Sequence, residues 1–359
     1  MVETVRPLLR INRPLPGSWL YLARGCWLLL ASLTIVALIF GSIHIYEVNS
    51  NICAPVRKPA CLPLEPLGLT HLSEHGLAFY TLASVLTIAI PWTVMGWLIF
   101  IRKSETVAEL LMSLGLATGW ASGLNSNNIR YAFFDAVSSW PQLLPLGIVC
   151  VYLVSFASQA TVVVIAYLIP DGRLVARWSV WLTLVWFLQV ASNTLYLYPF
   201  ELLQGPLLET LDKAFSLLAP LLVIFTIWFK YRFIADELSK MQLRTIFPST
   251  LALAGTYALF SAWTIVIWSG GDTGVNTLRF SSHIVQSGVQ SVCAAWFALA
   301  VGVAVLRYNL CEANLFVSRT LIYGGLSLGL MTVYLLVIFG AGSFLGMTDN
   351  FWLSLLTTA

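Results

Sequence analysis

Five consecutive residues, His71-Leu72-Ser73-Glu74-His75, have the side chains best suited to do chemistry in this chain. On a helix, positions 71 and 75 are one turn apart and share a face, with Glu74 beside them. This is the H-x-x-E-H order in which one metalloprotease class holds zinc with two imidazoles and activates water with the glutamate. A catalytic zinc also needs a third protein ligand from a folded domain. The segment around the pentapeptide, residues 46–78, is too short to supply one. Metal binding by His71, Glu74 and His75 is therefore expected to be sensory or incidental. A polar interfacial helix leading into the next apolar run is the plainer expectation.

The elements that would position these residues are membrane helices. Hydrophobic residues make up 58% of 359 positions, charged residues only 10%, and mean hydropathy is +0.84. A soluble domain carries about 25% charged residues. A net charge of +3, spread along the chain, excludes nucleic acid as a partner. Apolar runs recur near 26–45, 79–101, 107–124, 146–169, 178–198, 214–229, 247–268, 285–306 and 320–346. Most reach the roughly 18–25 residues a helix needs to cross about 30 Å of hydrocarbon. Helices satisfy their own backbone there, so the expected fold is all-α. It is an integral membrane bundle of about nine transmembrane helices plus a partial tenth.

Basic residues set the orientation. With the N-terminus cytoplasmic, 14 of the 19 Lys and Arg fall in inner segments, among them Arg24, Arg102, Lys103, Arg173, Arg177, Lys230, Arg307 and Arg319. The lipid bilayer is thus the first expected partner. The first run lacks a small-x-small cleavage site at Gly41-Ser42-Ile43, which favours a retained anchor over a signal peptide. Residues 1–25 are expected as a cytoplasmic N-terminal segment, 26–346 as the multi-span domain, and 347–359 as an outer turn entering a further span.

This placement decides what other chemistry is available. Cys53 and Cys61 are the two of six cysteines in the outer compartment. A disulfide between them would close a short loop and contribute about 2–3 kcal/mol. All four histidines, His44, His71, His75 and His283, fall outside, so none is placed to accept a phosphoryl group in the cytoplasm. There is no glycine-rich phosphate loop with a lysine. Within the runs Glu109 is the main charged residue, at an edge. The other polar residues are mild: Gln159, Gln189, Asn193, Gln286 and Gln290. They are expected to act as hydrogen-bonding glue between helices, which argues against a proton-coupled pump. No cofactor is implied. Gly115, Gly119 and Gly123 recur every four residues on one face of the third run, a spacing that lets helices approach closely. Packing inside the bundle is favoured over a homodimer seam. Trp19, Tyr21, Trp178, Trp181 and Trp268 mark span ends, as an aromatic belt would.

Three stretches in order carry a resemblance. The first is Gly76-Leu-Ala-Phe-Tyr80 with Phe100-Ile-Arg-Lys-Ser104. The second is Pro170-Asp171-Gly172-Arg173-Leu-Val-Ala-Arg177-Trp178. The third runs from Arg307 through Arg319-Thr-Leu-Ile-Tyr-Gly324. Together they resemble the multi-pass N-terminal sensor region of bacterial sensor histidine kinases. Physically, Pro170-Asp171-Gly172 is a tight-turn tripeptide, after which Arg173 and Arg177 meet anionic headgroups, while Arg319 caps the ninth span. The resemblance implies a bacterial plasma-membrane location and a signal-relay role for this turn. It also implies a cytoplasmic histidine kinase, whose phosphoacceptor and ATP-binding regions have no counterpart among these residues. The chain ends nine residues into the next apolar run, at Phe351 to Ala359. The expectation is a non-catalytic sensor or input module served by a separately encoded kinase or output domain. A passive transporter or channel subunit is the rival, and an inactive truncated remnant the third reading. The His71–His75 pentapeptide is not part of the resemblance.

Overall fold

The structure, a computed structural model, describes residues 16–50, 74–102, 104–122, 206–235, 237–268 and 275–308, with scattered residues between 142 and 188. The elements are α1 (Gly17–Ser50), α2 (Glu74–Arg102), α3 (Val107–Gly119) ending in a 3-10 turn (Trp120–Ser122), α4 (Pro206–Phe229) followed by a π-turn (Lys230–Ile234), α5 (Glu237–Trp268) and α6 (Val275–Tyr308). Among the described residues the fold is all-helical. Four stretches, Gly17–Glu47, Ala78–Arg102, Ser239–Trp263 and Val285–Leu306, are long and apolar enough to cross a membrane. The runs expected at 146–169 and 178–198 are described only at scattered helical residues. The run at 320–346 and the partial tenth lie outside the described residues.

Several helices are longer than the apolar run that announces them. α1 begins at Gly17 rather than near 26, and its 34 residues rise about 51 Å, well beyond the hydrocarbon thickness. α5 begins at Glu237, ten residues ahead of its apolar run. Its first turns, Glu237 to Arg244, are rich in long straight side chains that favour helix in water as well as in lipid. Apolarity marks the part that lies in lipid, and the helix continues until its caps.

α3 departs the other way. Thr106 caps it, its hydroxyl accepting from the Glu109 N–H at 3.3 Å while the Glu109 carboxylate accepts from the Thr106 N–H at 3.2 Å. This reciprocal box satisfies donors that a helix start leaves free. The α-helix then stops at Gly119 after 13 residues and tightens at Trp120, whose indole N–H donates back to the Ala117 carbonyl at 3.1 Å. Thirteen residues rise about 20 Å, short of a crossing. The third expected span is therefore a shorter, nearly fully buried helix up to that point.

Side-chain contacts fix the relative directions. Trp27 near the start of α1 stacks on Phe100 near the end of α2, with ring centroids 3.8 Å apart, so these helices are antiparallel. The α2–α6 contacts instead pair Tyr80 with Gly288, Trp92 with Ala294 and Met95 with Gly302, so these two run parallel. The start of α1, the end of α2 and the end of α6 therefore share one end of the bundle. α4 and α5 pack as neighbours, and α5 packs on α6. Beyond the π-turn, the Arg244 Nε donates to the Tyr231 hydroxyl at 3.1 Å and ties the turn to α5. One core joins α1, α2, α3, α4, α5 and α6 through Ile45, Ile99, Leu116, Ile227, Leu243 and Val301.

Candidate functional site

The parallel pair α2 and α6 carries five of the buried polar side chains among the described residues. On α2, Ser84 and Thr87 are fully buried or nearly so; on α6, Gln286, Gln290 and Ser291 are buried. Two of these hydroxyls turn back on their own helix. Thr87 donates to the Ala83 carbonyl at 2.7 Å and Ser291 to the Ser287 carbonyl at 2.6 Å. Such back-bonding is how hydroxyls are satisfied away from water. Across the pair, the Trp92 indole N–H donates to the Ala294 carbonyl at 2.8 Å, and its ring lies 5.9 Å from that of Phe297. Pro91 sits beside Trp92 inside α2 and removes one backbone donor there.

Two groups in this seam have no partner among the described residues. The Ser84 hydroxyl and the Gln290 amide nitrogen are both shut off from solvent and bond to no described group. A buried polar group left unpaired costs about 1–3 kcal/mol. Ser84 lies two turns before Trp92 on α2, and Gln290 one turn before Ala294 on α6, so both sit on the same side of the Trp92 bridge. One turn further out, the Tyr80 ring occupies the space a side chain on Gly288 would need. The seam is neutral throughout: it offers a hydroxyl and an amide, with no ionised group among these residues. A hydroxyl and an amide N–H can recognise hydrogen-bond acceptors and hydroxyls. The Gln290 amide nitrogen bridges no helix among the described residues.

The residues singled out in the sequence fall differently. Glu74 and His75 open α2 as its first two residues, and His71 lies outside the described residues. Among the described residues no three His, Cys, Asp or Glu side chains gather to hold a metal. Cys53 and Cys61, the turn residues Asp171, Gly172, Arg173 and Arg177, and Arg319 also lie outside the described residues, as does Gly123. Gly115 and Gly119 are buried on α3. A close approach between α2 and α3 is also made at Gly96. A methyl group there would meet the Ala117 backbone, with its Cα at 2.7 Å, and the Ser113 carbonyl, also at 2.7 Å. Ser113 and Ala117 form a small-x-x-x-small stripe of their own, which a search restricted to repeated glycines passes over.

Lys230, one of the basic residues expected in an inner segment, is 2% exposed, packed within the π-turn that follows α4. Charge alone could not have told it from its exposed neighbour Arg232. Comparison with known protein families, with curated proteins and with solved structures gives no match.

Proposed function

We propose that this protein is a membrane sensor or input module, non-catalytic in itself, sitting in a bacterial plasma membrane with its N-terminus in the cytoplasm. The observation that carries this reading is the α2–α6 seam. It buries two unpaired neutral groups, Ser84 and Gln290, between parallel helices that run on without a break to one end of the bundle. A neutral ligand offering a carbonyl or hydroxyl would satisfy both groups. It would thereby change the spacing of two helices whose far ends, at Arg102 and Tyr308, lie together. A ligand shifts such an equilibrium only by its differential affinity for two arrangements. A pair of unsatisfied groups in the empty arrangement supplies that difference. The resemblance of the Pro170–Arg177 and Arg307–Gly324 stretches to kinase sensor regions points to a histidine kinase or related output domain as the receiver.

The test separates this from passive transport. Deleting the gene from its host should change transcript levels of a defined gene set. Reintroducing the Ser84→Ala/Gln290→Leu variant, at normal abundance in the membrane, should reproduce the deletion. Proteoliposomes holding the purified protein should show no specific solute flux. Saturable uptake of a solute, with transcripts unaffected by the deletion, would establish the carrier reading in its place.

A further inference from the structure

A second pair of unsatisfied groups lies at the end of the bundle where α1 begins. The indole N–H of Trp27 and the Nε of Arg24 are both closed off from solvent and donate to no group among the described residues. Trp27 is 2% exposed. It is held by its stack on Phe100 and by an edge-on contact with Trp97 at 4.9 Å. Its ring closes a small core formed with Ala31, Leu110 and Ala117 where α1, α2 and α3 meet. Arg24 is one turn earlier on the same face of α1, about 4.5 Å nearer its start. That puts it level with Arg102, the last residue of α2, which is exposed.

The described acidic residues of this end do not serve it. The Glu109 carboxylate is occupied by the first turn of α3, accepting from the backbone of Glu105 and Thr106. Neither Glu105 nor Glu109 is paired with Arg24 among the described residues. Two donors one turn apart on one helix face, one of them charged, therefore lack an acceptor among the described residues, and a second cation stands at the rim. The depth is also informative. Trp19 and Tyr21, exposed on the preceding turns of α1, are the residue types that settle in the headgroup layer.

We propose that Arg24 and Trp27, with Arg102 at the rim, form a binding site for the phosphate group of an anionic phospholipid at the α1–α2–α3 junction. Charge selects the occupant: a guanidinium and an indole N–H can both donate to phosphate oxygens. Position selects its source, because this level of α1 meets lipid headgroups, and acyl chains can lie along the exposed apolar face formed by Leu22, Leu28 and Leu29. The lipid would fix the entry angle of α1 against α2. This site lies at the opposite end of α2 from the Ser84 seam and does not depend on it.

The test uses the full chain purified in mild detergent, with bound phosphatidylglycerol titrated by native mass spectrometry and phosphatidylcholine as the reference. The wild type should retain one phosphatidylglycerol in preference to phosphatidylcholine. Arg24→Gln should weaken that binding about tenfold and Trp27→Phe, which keeps the ring stack, about threefold. Lys240→Gln, which removes an exposed cation elsewhere on α5, should leave it unchanged. Equal retention of the two lipids by the wild type would overturn the site. So would equal weakening by Lys240→Gln, because binding would then follow overall charge. Displacement of the lipid by millimolar inorganic phosphate would overturn the lipid as the source.

Discussion

α1 and α6 are both 34-residue helices, yet they occupy different kinds of place. α1 carries the most apolar of the four membrane-length stretches, but only 22% of that stretch is buried within the bundle, against 67% for α6. α6 directs Gly288, Ala294, Ala298 and Gly302 at its neighbours. α1 turns Leu29, Val36, Ile39, Phe40 and Ile43 outward. In water those side chains would be driven inward. In lipid they have no such reason to move, because acyl chains solvate them as well as another helix does. Apolarity therefore decides whether a segment enters the membrane, and side-chain size decides whether it enters the middle of the bundle.

The sharpest break of this contrast is at the close approach of α2 and α3 at Gly96. Gly96→Leu places a branched side chain against the Ala117 and Ser113 backbone, which cannot yield as a flexible side chain would. The expected outcome is a loss of about 3 kcal/mol or failure to assemble. Thermal unfolding in detergent, followed by tryptophan fluorescence, measures it. Gly302→Leu meets only the Met95 side chain, with its Cγ at 2.8 Å from the added carbon, and Met rearranges readily. It should cost less than Gly96→Leu. The reverse order would mean that α2 rests more tightly on α6 than on α3.

A smaller effect probes the hydrogen bond that ties α2 to α6. Trp92→Phe keeps the ring near Phe297 and removes the donation to Ala294. The loss should be about 1 kcal/mol, read from the same unfolding curve. The unpaired groups of the seam should behave oppositely. Gln290→Leu removes an amide nitrogen that bonds to nothing and should leave stability unchanged or raise it by about 1 kcal/mol. Ser84→Ala should act in the same direction. If either variant instead destabilised the protein by a full hydrogen bond, the seam would already be satisfied, and its role as a recognition site would fail with it.

How much of this was legible beforehand follows from the same distinction. Segment apolarity predicts the membrane-length stretches of α2 and α6 to within about a turn, because transfer into hydrocarbon is a property of the segment alone. It misplaces the starts of α1 and α5, since a helix can continue into water at little cost. Within the third run it does not reveal that the α-helix gives way to a 3-10 turn at Trp120, where the indole folds back on Ala117. The glycine stripe Gly115–Gly119 directs attention to the right helix. The partner residue Gly96, a lone glycine in its own helix, carries no periodicity to reveal it. The unpaired state of Ser84, Gln290, Arg24 and Trp27 was not readable at all. Each is an ordinary residue until its neighbours are known to offer no acceptor or donor, and the same is true of the burial of Lys230. Site chemistry here is set by what is missing around a side chain, which no residue type encodes.

The finest test of the contrast between the two long helices is a substitution expected to do almost nothing. Gly25 lies on α1, and a side chain added there meets no atom within 4 Å. It is two residues before Trp27, about 200° around the helix, and so faces away from the α1–α2–α3 junction. Gly25→Leu should change stability by no more than about 0.5 kcal/mol, despite adding four carbons, because those carbons enter lipid rather than a packed interface. Any change should be stabilising, since glycine is the poorer helix former. The same unfolding assay that reads Gly96→Leu reads this variant. A loss comparable to that at Gly96 would mean that this face of α1 is covered by protein. The lipid-facing assignment of the whole helix would then have to be withdrawn.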